Sequence, residues 1–226
     1  MVFVILIFAN QKVISDPIQG SFRVFHRILN NYSGLLYSLN TIASAVVGVG
    51  LILIIIKIRN RATIAEYLDL RRITKKTILI LLAITTGILG LSDILSLILG
   101  KSLYSLFILD AYYTSIWPAL LWIAAVILGP LSEEVFYRGF LFAGFRQSRI
   151  GVAGTIGLTA LIWALMHVQY NYSDSFEWIA TIFVLGIVLG ITRVKTGSLW
   201  SPLLMHMFWN LIMTLKLYLN INSFAG

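Results

Sequence analysis

Two adjacent carboxylates, Glu133 and Glu134, stand in an otherwise apolar stretch, with Arg138 close behind them. Ionisable groups in such surroundings are costly and face a cavity or one another. Glu134 and Arg138 are one helical turn apart, so they share a face and can pair. Glu133 points about 100° away and is left to face something else. A structural salt bridge at an interfacial cap accounts for Glu134 and Arg138 but leaves Glu133 over. An acid held apart from a counter-charge is a starting point for general acid–base chemistry. His167 closes the run Trp163-Ala164-Leu165-Met166-His167. Alone, a histidine on an apolar helix is more often structural than catalytic. His206 and Asn210 again share a helix face. An imidazole and a carboxamide so placed can both donate to one oxygen, the arrangement that holds a developing oxyanion. The same spacing at His26 and Asn30 falls in a basic, non-spanning stretch and is given no role.

Glu133, Glu134, Arg138, His167, His206 and Asn210 therefore make a short inventory: a base, its orienting partner, a second imidazole and an amide. That is what attack of water on a carbonyl requires. Cysteine is absent, which excludes a thiolate nucleophile, a disulfide framework and a cysteine metal site. No His-Glu-x-x-His run occurs, which excludes an ordinary zincin, and there is no Gly-rich phosphate loop.

The elements that position these groups read as membrane helices. Of 226 residues, 59% are hydrophobic and 12% charged, with mean hydropathy +0.91. A soluble domain has about 45–50% apolar and about 25% charged residues. Disordered chains, coiled coils and ordinary cytosolic enzymes are excluded. A spanning helix needs about 20 apolar residues. Candidate spans are 35–58, 77–99, 116–129 running on to 145, 152–168, 176–191 and 199–219. The expected fold is all-α: a polytopic membrane bundle of roughly 6–8 transmembrane or membrane-embedded helices around an intramembrane polar cavity. Residues 1–115 read as N-terminal membrane helices, 116–219 as the core bearing the chemistry and 220–226 as a short tail. The apolar segment 1–9 is too short to cross and lacks a basic n-region. It reads as the tail of a longer first helix or as an interfacial stub.

The net charge of +8 is topological, not a nucleic-acid footprint, because the basic residues sit between apolar runs. Lys and Arg collect on the cytoplasmic side. Segment 57–76 holds Lys57, Arg59, Arg61, Arg71, Arg72, Lys75 and Lys76 against Glu66 and Asp69, and is expected to be cytoplasmic. Counting onward, 100–115 and 170–175 fall outside, while Arg146, Arg149, Arg193 and Lys195 fall inside. Segment 10–33 fits less well, since Lys12, Arg23 and Arg27 would lie outside; a basic interfacial helix at 21–31 is the alternative. Within the later spans, Pro130 is expected to break or kink the helix, with Ser132 capping a new one. Gly186 and Gly190, four apart, let helices approach closely. Thr196-Gly197-Ser198-Leu199 reads as a turn into a helix that tolerates Pro202 in its first turn. At about 1.5 Å per residue, His167 lies about 22 Å along its helix and His206 about 10 Å along its own. Tilt or an offset in helix starts must bring them together.

The ordered set Glu133-Glu134-x-x-x-Arg138, Trp163-x-x-x-His167, Phe183-x-x-Gly186-x-x-x-Gly190, Thr196-Gly197-Ser198-Leu199 and His206-x-x-x-Asn210 resembles the CAAX protease and bacteriocin-processing (CPBP, or Abi) family of intramembrane proteases. Trp163 stands where that family often has Phe. The resemblance covers roughly residues 117–215. It implies an intramembrane endopeptidase acting on a membrane-associated, leader-type or CAAX-like peptide. Glu133, assisted by His167, would activate water; Glu134 and Arg138 would orient that helix; His206 and Asn210 would stabilise the oxyanion. No cofactor is favoured. The alternative is Zn²⁺ on Glu133, His167 and His206, with water in an open position. The expected partners are a peptide or protein substrate and the lipid bilayer of, for a small cysteine-free chain, a prokaryotic cell. Other readings of the same residues are a non-catalytic immunity or scaffold protein and a small transporter with a carboxylate site, the latter weakened by the lack of internal repeats.

Overall fold

The structure, a computed structural model, describes residues 31–59, 61–103, 106–167 and 176–223. The readings made of residues 1–30 and of 170–175 fall outside these. All regular structure among the described residues is helical: α1 (Ser33–Arg59), α2 (Ile64–Tyr67), α3 (Lys75–Ile98), α4 (Leu106–Tyr113), α5 (Pro118–Phe145), α6 (Gly151–Leu165), α7 (Phe176–Thr196) and α8 (Trp200–Ser223). Four helices are long and apolar enough to cross a membrane, within α1, α3, α5 and α7. The chain is a membrane protein. Helix α6 has 15 residues. At about 1.5 Å per residue it is shorter than a bilayer core of about 30 Å. Helix α8 is of spanning length, at 24 residues, but carries His206, Asn210 and Lys216.

Two local expectations are corrected. Segment 100–115 is not all loop, since α4 lies within it. Helix α4 packs on the start of α1: Ser33 Oγ donates to Asp110 Oδ2 (2.6 Å) and the Gly34 amide to Thr114 Oγ1 (2.9 Å). A Cβ at Gly34 would stand 1.9 Å from the Ala111 carbonyl oxygen, so only glycine permits this approach. Nor does Pro130 end a helix. Helix α5 runs through it, with a π-helical turn at Ala124–Leu128 directly before and another at Val135–Leu141 after. The widened turn accommodates the missing N–H and the bulk of the proline ring. Ser132 is not a cap; its hydroxyl donates to the Gly129 carbonyl inside the helix (2.9 Å).

Helices α6 and α7 pack face to face along the glycines. A Cβ at Gly186 would meet Ala160 Cβ at 3.0 Å, and one at Gly190 would meet Ile156 Cγ2 at 3.0 Å. In lipid, where apolar burial supplies little drive between helices, such close approach is what holds them. Around this seam Leu81 and Leu89 of α3, Tyr137, Trp163, Leu185, Leu189, Met205 and Trp209 form the core. The outer faces carry exposed Val46, Ile58, Leu79, Leu91, Ile98 and Leu161, as suits a surface bathed in hydrocarbon.

The segments expected on one side of the membrane do meet at one end of the bundle. Asp69, in a left-handed conformation (φ 51°), accepts from Arg193 Nη2 at 2.7 Å, with Arg71 and Arg146 each 3.7 Å away. Its carbonyl accepts the Leu199 amide (3.0 Å), and the Arg71 carbonyl accepts Ser198 Oγ (2.5 Å). Ser198, Leu199 and Ser201 around the start of α8 are buried against this segment, while Trp200 is exposed. Helix α2 is fixed beside this segment by a capping box: the Glu66 amide donates to Thr63 Oγ1 (3.2 Å) and the Thr63 amide to Glu66 Oε2 (2.8 Å). Those bonds hold the exposed Glu66 carboxyl below its ordinary value, the Thr63 backbone bond first.

Candidate active site

The structure brings His167 and His206 to the same level. Both face Glu133. His167 Nε2 lies 3.8 Å and His206 Nε2 4.0 Å from Glu133 Oε2. The same oxygen accepts the Trp163 indole N–H at 2.5 Å. Trp163, 2% exposed, sits edge-on to both imidazoles, with ring centroids 5.1 Å apart in each case. The Arg138 guanidinium lies over the indole at 4.5 Å.

Behind this surface runs a buried charged chain. Arg138 Nη1 donates to Glu134 Oε1 (2.9 Å), and His206 Nδ1 contacts that same oxygen at 2.9 Å. Arg138 Nη2 donates to the Gly186 carbonyl (3.2 Å), a contact open because Gly186 has no side chain. Glu134 and Arg138 are both 0% exposed. The pairing of Glu134 with Arg138 and the divergence of Glu133 agree with their helical spacing.

The hydrogen-bond pattern assigns protons. A backbone carbonyl only accepts, so His167 Nδ1, 2.7 Å from the Trp163 oxygen, carries hydrogen. In the neutral ring its Nε2 then presents a lone pair towards Glu133. His206 Nδ1 likewise donates to the Glu134 carboxylate, so its Nε2 carries hydrogen only in the imidazolium.

Asn210 is placed by a defect in α5. The Gly129 amide bonds to the Ala124 carbonyl, one residue beyond the α-helical partner, and Pro130 has no N–H. The Ala125 carbonyl is thereby released from its helical donors and accepts Asn210 Nδ2 at 2.8 Å. The second π-helical turn works similarly. The Phe142 amide bonds to the Tyr137 carbonyl, and the Arg138 carbonyl accepts Arg193 Nε at 3.1 Å.

Glu133, His167, His206 and Asn210 line one cavity of about 110 Å³, room for several waters. Tyr37 of α1 and Trp178 of α7 close it. Tyr37 and the donor role of Trp163 were not read from the sequence. A buried indole N–H must find an acceptor, and that rule, applied to Trp163 one turn before His167, points to Glu133. Among the described residues no three His, Asp or Glu side chains are arranged to hold a metal ion. The Glu133 oxygen that faces both imidazoles is the one that accepts the indole N–H.

Carboxylates and imidazoles converging in a cavity within a membrane helical bundle define a class that the comparisons with known proteins narrow. Residues 115–212 match the family model described as Type II CAAX prenyl endopeptidase Rce1-like. Over 90 residues the chain is 36% identical to the Membrane-embedded CAAX protease MroQ of Staphylococcus aureus (strain USA300), covering 37% of this chain and 34% of the relative. Over 83 residues it is 34% identical to an Uncharacterized 24.3 kDa protein of Escherichia coli, covering 36% of each. The matched region spans about a third of the length of these curated relatives. No solved structure matches. Residues 115–212 are thus similar to the CAAX proteases that this family model and MroQ represent.

Proposed function

We propose that the protein is an intramembrane endopeptidase that hydrolyses a peptide bond of a membrane-associated substrate of CAAX or leader type, without a metal. The observation that carries this reading is the convergence of His167 and His206 on one oxygen of Glu133 inside the cavity. A water between Glu133 and His167 Nε2 loses its proton to them as it attacks the scissile carbonyl carbon. The oxygen, now negative, is met by the imidazolium Nε2–H of His206 and by the second N–H of Asn210, whose first is held by Ala125. Collapse of the tetrahedral species breaks the C–N bond, and the amine leaves with the proton that Glu133 and His167 had taken. Glu134, itself held by Arg138, stabilises the His206 imidazolium.

The test is cleavage of a quenched peptide, lipid-anchored or leader-type, by purified protein in nanodiscs. Glu133→Ala and His206→Ala are expected to lose turnover, roughly a 10²–10⁴-fold effect for an acid–base group, while still inserting into the membrane. Wild-type turnover in either variant would overturn the assignment.

A further inference from the structure

A second cavity, of about 220 Å³, opens at the other end of the chemistry-bearing helices, between the ends of α5 and α7 and the start of α6. Its polar lining is Asp69, Arg71, Arg146 and Arg193. One carboxylate faces three guanidinium groups, so the lining carries uncompensated positive charge. The three arginines are not equivalent. Arg193, 2% exposed, is held by Asp69 Oδ2 and by the Arg138 and Leu68 carbonyls. Arg71 and Arg146 stand 3.7 Å from Asp69, beyond hydrogen-bond reach, and their side chains are 75% and 45% exposed. Neither guanidinium makes a hydrogen bond to another described residue. Two exposed forks, each in a loose ion pair with Asp69, beside one buried arginine form a receptor for a tetrahedral oxyanion, since the guanidinium matches phosphate oxygens two at a time.

We propose that this cavity binds a phosphate group through Arg71 and Arg146, with Arg193 and Asp69 fixing its floor. Its place in the fold favours a phosphate at the membrane surface. It lies at helix ends, and Val152 and Val194 on its rim are 44% and 43% exposed, an apolar track along which an acyl chain can descend. The segment also sits on the side expected to be cytoplasmic, where the leaflet carries anionic lipid. An occupant here touches the latch that buries the start of α8, and so bears on how His206 is held. The site does not depend on the proposed peptidase activity.

The experiment is thermal unfolding of the full chain in detergent, titrated with phosphatidylglycerol, with phosphatidylcholine, or with inorganic phosphate. Phosphatidylglycerol is expected to raise the midpoint and phosphatidylcholine to leave it unchanged. In R71Q/R146Q, which alters only exposed side chains, the starting midpoint is kept and apparent affinity falls by about tenfold or more, as expected for lost charge-assisted bonds. A rise with inorganic phosphate alone, lost in the same variant, identifies free phosphate as the source. The proposal fails if neither phosphatidylglycerol nor phosphate moves the wild-type midpoint, or if R71Q/R146Q responds as the wild type does. It also fails if K75Q/K76Q weakens the response as much, because that is diffuse surface attraction and not a built site.

Discussion

Arg138→Met removes a buried charge while keeping most of the side-chain volume. Three contacts go with it: the 2.9 Å bond to Glu134, the 3.2 Å bond to the Gly186 carbonyl and the stack on Trp163 at 4.5 Å. Glu134, fully buried, is left with His206 Nδ1 as its one hydrogen-bond partner. Breaking a buried pair by removing one member costs about 3–5 kcal/mol, because the other charge stays uncompensated. The pair lies within α5, in a chain whose unfolded reference state also remains in detergent or lipid, which pulls the expected cost to the lower end, about 3 kcal/mol. Glu134→Gln with Arg138→Met removes both charges and leaves an amide that still accepts from His206. The pair should then show a coupling energy of about 2–3 kcal/mol. The assay is reversible unfolding in mixed micelles titrated with sodium dodecyl sulfate, followed by tryptophan fluorescence. A cost below about 1 kcal/mol for Arg138→Met, within the range of an ordinary exposed pair, or simple additivity of the two changes, would refute the buried-charge account.

Three further outcomes follow from the same contacts. Trp163→Phe keeps the ring that packs between the imidazoles but removes the N–H to Glu133; the loss of that charge-assisted bond should cost about 1.5 kcal/mol in the unfolding assay and, by releasing Glu133, lower kcat about tenfold, and an unchanged kcat would dismiss the indole as a positioning donor. Gly186→Val forces a side chain against Ala160 and Trp163 at contacts already near 3.0 Å; overpacking of about 1–3 kcal/mol is expected in the unfolding assay, and wild-type stability would contradict the close α6–α7 seam. Asn210→Ala removes an amide N–H from the cavity and should lower kcat by about 10²-fold; an unchanged kcat would remove Asn210 from the oxyanion role.

Much of this site was legible because helical spacing alone carries it. The turn between Glu134 and Arg138 predicts their pairing, and the adjacent Glu133 is left pointing elsewhere. Gly186 and Gly190 announce the α6–α7 seam for the same reason. What spacing cannot convey is depth. His167 and His206 meet in space, and the start of α8 is tied to Asp69 and Arg71 by contacts that span more than a hundred residues, neither of which local spacing shows. Pro130 reads as a helix break by local rules, yet the π-helical turn before it keeps α5 continuous and frees the carbonyl that holds Asn210. Helix α4, eight residues long, has too little sequence to show a period. The bonding of Lys216 to Asp93, between α8 and α3, was likewise invisible, since neither residue has a charged neighbour on its own helix to mark it.

The central claim is that Glu133 and His167 activate water directly. The measurement that reaches it most directly is peptidase activity of the purified protein in nanodiscs, with and without a strong chelator, alongside its metal content and a Glu133→Ala control. Turnover that survives chelation, with no stoichiometric metal and none in the Glu133→Ala control, is the result predicted here. Turnover lost to the chelator and restored by zinc would contradict it and make Glu133, His167 and His206 ligands instead.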